Sequence, residues 1–221
     1  MKKGTLSTII GLLLIVAALA LTGYNVWDSY EAMVASNEAL EALLSQIDED
    51  PVPTDGRPVV EHENAEAVIT SEEIEYPDYI LNPEMDMPEK IVDGEAYIGV
   101  ISIESIGLEL PVISEWNYAR LGIAPCRYTG SAYLDNMVIC AHDYRAHFQS
   151  VRTIQIGTEV VFTDIDGNRF VYEVAEVETI GAYDIEGMTT GDWDLTLFTC
   201  TIGGRTRAAV RCTRSIVTFA N

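Results

Sequence analysis

Basic residues are scarce in this chain, with 13 Lys and Arg against 35 Asp and Glu, a formal charge of -22. A surface of that sign repels phosphate backbones and anionic headgroups, which excludes nucleic acid as a partner. Histidine is rarer still, at three in 221 residues, and there are only four cysteines. Neither occurs at C-x-x-C or H-x-x-x-H spacing, so no metal site is expected and nothing in the sequence calls for a cofactor. His62 and His147 sit in no motif and are expected in the linker and at the surface.

Long apolar runs are equally few. The one present, from about Ile9 to Leu21, follows Lys2 and Lys3 and precedes acidic sequence. It reads as a membrane-crossing helix over residues 1–23, with the N-terminus inside and the C-terminus outside. The competing reading is a cleaved signal peptide, for which Ala18-Leu19-Ala20 supplies small residues. Either reading exports the rest of the chain. In an exported domain Cys126, Cys140 and Cys212 are free to form disulfides, but their spacing gives no framework, and small buried hydrophobes are the preferred reading.

Residues 24–47 carry Val26, Met33, Ala39, Leu40, Leu43 and Leu44 at loose helical spacing without Pro or Gly. They are expected to form a juxtamembrane helix or stalk acting as a spacer. From 48 to 95 the chain turns acidic and contains Pro51, Pro53, Pro58, Pro77, Pro83 and Pro88. Such a segment buries too little apolar surface to offset its ordering entropy and is expected to be a flexible linker. Ile74, Tyr76, Tyr79, Ile80 and Leu81 leave a second option open, a flap across the domain behind.

What is abundant from 96 to 221 is short β-branched and apolar runs separated by turn residues. Residues 96–103 and 108–113 with Gly107 between them read as a hairpin. Strands are also expected at 137–142, 159–163, 170–177, 195–200 and about 206–219. Residues 164–168 should form a hairpin turn, and a helical turn is expected near 117–121. Many short strands and little helix predict an all-β fold, a closed barrel.

Three polar residues fall at strand ends: His142, Cys200 and Arg207. In Leu195-Thr196-Leu197-Phe198-Thr199-Cys200 alternation puts Leu195, Leu197 and Thr199 on one face and Thr196, Phe198 and Cys200 on the other. A free thiol has a pKa of about 8.5 and needs a neighbouring base or cation to act as a nucleophile at neutral pH. An imidazole that moves a proton and a guanidinium that meets a developing oxyanion would complete an acyl-transfer site.

The run Thr196-Leu197-Phe198-Thr199-Cys200 resembles the T-L-x-T-C signature of sortases, the transpeptidases that attach proteins to the Gram-positive cell wall. Tyr97-Ile98-Gly99-Val100-Ile101 with Leu110-Pro111-Val112 is similar to that family's opening hairpin, and Val138-Ile139-Cys140-Ala141-His142 resembles the strand ending in its histidine. The resemblance implies a closed eight-stranded sortase-type β-barrel over 96–221 with short helices, preceded by the transmembrane helix and stalk. It also implies His142, Cys200 and Arg207 as the catalytic trio, with Thr199 lining the substrate site. Arg205 is the rival for the arginine; Arg207-Ala208-Ala209-Val210-Arg211 resembles the family's arginine followed by an apolar strand. The implied partners are LPxTG-like sorting signals and an amine acceptor on a peptidoglycan precursor or a protein subunit. The implied location is the outer face of the cell membrane.

His142-Asp143-Tyr144-Arg145-Ala146-His147-Phe148 looks like class B or D versions, and the connection from Tyr183 to Asp192 is expected to help choose the signal. Calcium at Glu104, Glu109, Asp164 and Asp166, as in some relatives, is weaker than a plain hairpin turn at 164–168. Tyr76-Pro77-Asp78-Tyr79 has the wrong order for the Asp-Pro-aromatic lid of pilus-building relatives, and no second membrane helix precedes Asn221. An anchoring or specialised role with an open groove is therefore expected. A non-catalytic tethered β domain that binds a surface partner is the alternative from another class, and it requires an inert Cys200. The S-H-G-C type motif of L,D-transpeptidases is absent.

Overall fold

Nine strands form among the described residues: β1 (Lys90–Val92), β2 (Glu95–Ile103), β3 (Leu108–Ile113), β4 (Cys126–Thr129), β5 (Met137–Cys140), β6 (Glu159–Asp164), β7 (Arg169–Gly181), β8 (Leu195–Cys200) and β9 (Thr206–Arg214). In the computed structural model, which describes residues 3–45 and 77–215, they are hydrogen-bonded in the order β1-β2-β3-β4-β5-β8-β9-β7-β6. An additional β2–β6 pairing closes β2 to β9 into an eight-stranded barrel, with β1 an extra short strand on β2.

The closure depends on a change of partner within β2. Residues 95–97 pair with β1, a register shift follows between Tyr97 and Gly99, and residues 99–102 then pair with β6. Gly99 has φ +153°, and a Cβ there would lie 2.1 Å from the Thr163 carbonyl oxygen. Only glycine lets the two backbones meet so closely.

Inside the barrel, Ile98, Ile101 and Ile103 of β2 meet Phe162, Phe170, Tyr172, Leu195, Leu197 and Val210 in one core. The 164–168 turn is held by Asp164, a fully buried carboxylate that accepts from Asp166 N, Asn168 N, Asn168 Nδ2 and the Tyr133 hydroxyl. With its oxygens so engaged, the turn reading fits better than a cation site.

Two expectations change. Residues 48–76 of the expected linker, His62 among them, lie outside the described residues, but 77–95 are attached to the barrel. The short helix α2 (Asp78–Leu81) places Tyr79 flat against Tyr133, with ring centroids 4.6 Å apart and 12° between planes, and 5.3 Å from Phe170. Met87 is buried in the same core, and β1 adds its three residues to β2. Burying one aromatic and one methionine is worth roughly 1.5–3 kcal/mol each, enough to order a segment whose average composition is polar. Tyr79 thus serves the core and not a flap over the groove. The strand expected to reach 219 ends at Arg214 among the described residues.

The second change concerns α1 (Lys3–Leu44), a single helix that includes both the expected anchor and the expected stalk. Its apolar N-terminal part is exposed and is long and apolar enough to cross a membrane. Its C-terminal half is no free spacer. Ala32, Ser36, Ala39 and Leu43, spaced four, three and four apart, are buried along one face. Ala39 and Leu43 pack with Ile113, Leu121, Ala124 and Cys126. Small residues at three of the four positions let the helix lie close against the barrel.

Candidate active site

β5 and β8 run parallel side by side, with Cys140 opposite Phe198, so the residues just beyond, His142 and Cys200, leave the sheet at the same rim. β8 and β9 are antiparallel, and their last partners are Cys200 and Arg207. Three sequence-distant residues are thereby brought to one groove of ≈ 260 Å³, lined by all three together with Trp116, Tyr118, Tyr128 and Met188. Arg205 is exposed in the turn and does not line it.

Alternation in β8 is as read from the sequence. Leu195, Leu197 and Thr199 are buried inward, whereas Phe198 and Cys200 are partly exposed on the groove side. Thr199 borders the groove but is only 1% exposed, and its hydroxyl donates to the Ala141 carbonyl at 2.9 Å. That bond ties the end of β8 to the residue before His142, so the hydroxyl expected to line the substrate site is already engaged.

All four thiols are free, but they differ in setting. Burial pushes Cys126 and Cys212 up to about 12, and pushes Cys140 further still. These three behave as small apolar residues, whereas Cys200 is partly open to the groove. His142 is half-buried. Burial lowers its pKa below the usual imidazole value, and the Asp28 carboxylate of α1 acts in the opposite direction. Arg207 donates from Nη1 to the carbonyls of Gly204 at 3.0 Å and Thr206 at 3.1 Å. Both bonds leave from one nitrogen, which orients the guanidinium.

Sequence reasoning missed three features. One is an aromatic wall in which Tyr128 stands 5.3 Å from Trp116 and meets Phe198 edge-on at 5.4 Å. Tyr128 was hidden because β4 is only four residues long, too short for alternation to mark it as a strand. A second is Arg211, 2% exposed, which donates to Glu178 Oε1 at 2.8 Å, Met188 O at 3.0 Å, Thr196 Oγ1 at 3.1 Å and Gly187 O at 2.5 Å. It pins the short helix α3 (Ile185–Thr189), and with it Met188, at the groove. Alternation with Val210 and Cys212 puts Arg211 on the outer face with Arg207, where a charge is ordinary, so the sequence carries no signal of its burial.

The third is His147. Expected at the surface, it is 1% exposed beneath α1, with Nε2 2.9 Å from Ser36 Oγ. Ser36 donates its single hydrogen to the Ile123 carbonyl at 2.6 Å, so Nε2 carries the proton and donates to Ser36. Burial, reinforced by nearby His142, pushes His147 down to about 4.

A closed eight-stranded barrel bearing a cysteine at one rim, with histidine and arginine beside it, defines the class of cysteine transpeptidases. The Sortase domain model matches residues 101–215, just over half of the 221, and the chain belongs to the sortase family. Among solved structures, it is similar to the Clostridium perfringens Sortase D5 transpeptidase at 22% identity and TM-score 0.51, over 63% of this chain and 88% of that one. It is also similar to sortase A from Corynebacterium diphtheriae, a lid mutant, at 22% and 0.49, over 62% and 76%. Sortase C1 from Streptococcus suis gives 23% and 0.48, over 55% and 74%. No curated protein gives a significant match.

Proposed function

We propose that this sortase cleaves an LPxTG-like sorting signal at Cys200 and passes the acyl group to an amine of the cell wall or of another protein. The observation that carries the reading is the convergence of Cys200, His142 and Arg207 on one groove from three different strands. In the first half-reaction the Cys200 thiolate attacks the carbonyl between Thr and Gly. His142 protonates the departing glycine amine, leaving a thioester on Cys200. In the second, the acceptor amine attacks the thioester, His142 takes up its proton, and the thiolate leaves. Arg207 hydrogen-bonds the oxygen that gains charge in each tetrahedral intermediate.

The aromatic wall and Met188 provide the apolar surface that the signal's leucine requires, and the 183–192 connection shapes its far side. Thr199 acts through the Ala141 carbonyl, keeping the ends of β5 and β8 in register. The segment 142–148 supports a class B- or D-like enzyme. Lys2 and Lys3 before the apolar run, and acidic sequence after it, support a single-pass anchor with the barrel on the outer face.

Incubation of the protein with an LPxTG peptide and an amine, followed by mass spectrometry, tests the reading. A thioester at Cys200 and an amine-linked product are expected. If wild-type protein and Cys200→Ala leave the peptide equally intact, the enzyme reading is overturned in favour of a binding domain.

A further inference from the structure

We propose that α1 belongs to the catalytic apparatus as well as to the anchor: Asp28 and Tyr144 are positioning residues that hold the His142 ring from the membrane side. The proposal rests on the reading of His142 as the proton-transfer group.

Asp28 lies about two turns beyond the apolar run, on the side of α1 that faces the barrel. The Tyr144 hydroxyl donates to Asp28 Oδ2, joining two residues 116 positions apart. The Tyr144 ring lies 4.8 Å from the His142 ring at 40°, and 5.5 Å from His147. Tyr118, largely exposed, meets His142 edge-on at 5.8 Å. A half-buried imidazole in contact with two tyrosine rings is restrained by them, and of the two Tyr144 is itself fixed from α1.

The docking behind this contact is specific. Eight residues further along the helix, Ser36 engages His147 and the Ile123 carbonyl, so α1 holds the 142–148 segment at two points, Tyr144 and His147. The helix around Asp28 also carries Tyr24, Trp27 and Tyr30, all exposed, directly after the apolar run. Aromatics at that position mark a membrane–water interface. His142 is therefore held close to that level, through one side-chain pair.

The titratable and charged groups around His142 are Asp28 on α1, Tyr118 on the β3–β4 connection, Tyr144 and His147 after β5, Cys200 on β8 and Arg207 on β9. Asp143 next in sequence is paired with Arg152 at 3.1 Å. Asp28 is the carboxylate that raises the affinity of His142 for its proton, offsetting part of the effect of burial.

The test uses the full chain in lipid nanodiscs, with Asp28→Asn, Asp28→Glu, Tyr144→Phe and His142→Ala. Turnover of an LPxTG peptide is measured alongside the NMR titration of the His142 imidazole, which three histidines keep resolvable. Asp28→Asn and Tyr144→Phe are expected to lower kcat by about 5–20-fold with KM unchanged. Asp28→Asn should also move the His142 titration down, and Asp28→Glu should restore most of both. Wild-type kcat in both variants with His142→Ala inactive overturns the positioning role alone, as does a lowered kcat with the titration unmoved in Asp28→Asn. An active His142→Ala overturns the reading on which the proposal rests.

Discussion

The groove around Cys200 and the seam under α1 are both built from residues 141–148, yet the same side-chain types behave differently in them. In the groove, His142 is half-buried beside a partly open thiol and a guanidinium. In the seam, His147 is enclosed, donates to a serine, and is held neutral by burial. The thiols divide in the same way, Cys200 toward the groove and Cys126 and Cys140 opposite one another in the buried β4–β5 pair. What separates a reactive residue from a packing residue here is how deeply it is covered: Cys140 borders the same groove as Cys200 but is buried, whereas Cys200 is partly open.

The largest expected effect is at the groove. Cys200→Ala should abolish thioester formation, a loss of about 10⁴-fold or more in turnover, with the thermal midpoint little changed. Arg207→Ala should lower kcat/KM by about 10²–10³-fold, whereas Arg205→Ala should stay close to wild type. Loss of turnover with Arg205→Ala and not with Arg207→Ala would reassign the arginine.

Arg211→Met probes the structure between the two regions. Removing the guanidinium leaves the carbonyls of Gly187 and Met188 unanswered, and urea denaturation should report about 2–3 kcal/mol lost. Peptide KM should rise with it as α3 loosens at the groove. An unchanged KM would remove α3 from signal choice.

The seam should give the smallest effects and the clearest dependence on pH. His147 binds its proton less readily when α1 is docked, about 4 against an ordinary 6.5, so protons favour the undocked state. Docking is at full strength above pH 6.5 and weakens as pH falls from there toward 4. Hydrogen exchange at residues 28–43 should accelerate across that window. Ser36→Ala should cost about 1–2 kcal/mol of docking at neutral pH, because it leaves the His147 Nε2 proton and the Ile123 carbonyl without partners. Exchange that does not respond to acid would dissolve the contrast between the two histidines.

The sequence made much of the barrel legible because its strands follow a period of two. β8 was placed residue for residue, and β2, β3 and β6 to within one or two. β1 and β4 escaped because each is three or four residues long and gains its partner only in the closed sheet. The trio at the rim was legible from strand ends and from resemblance. Tyr79, His147 and Asp28 were not, since each owes its setting to a partner more than 50 positions away, Tyr133, Ser36 and Tyr144 respectively. Local composition called those stretches linker, surface and spacer, and tertiary contact overrode it.

His142 and Cys200 stand at the tips of two strands zipped to each other as parallel neighbours and stitched once more by Thr199. The backbone that carries each of them is thus set by the fixed pitch of a sheet, and what remains to be set from outside it is the orientation of the His142 ring. The 183–192 connection takes no part in that pairing, so on the proposed reading its residues can vary without moving the two strand ends apart. New client preferences are open to such an enzyme at little risk to its reaction.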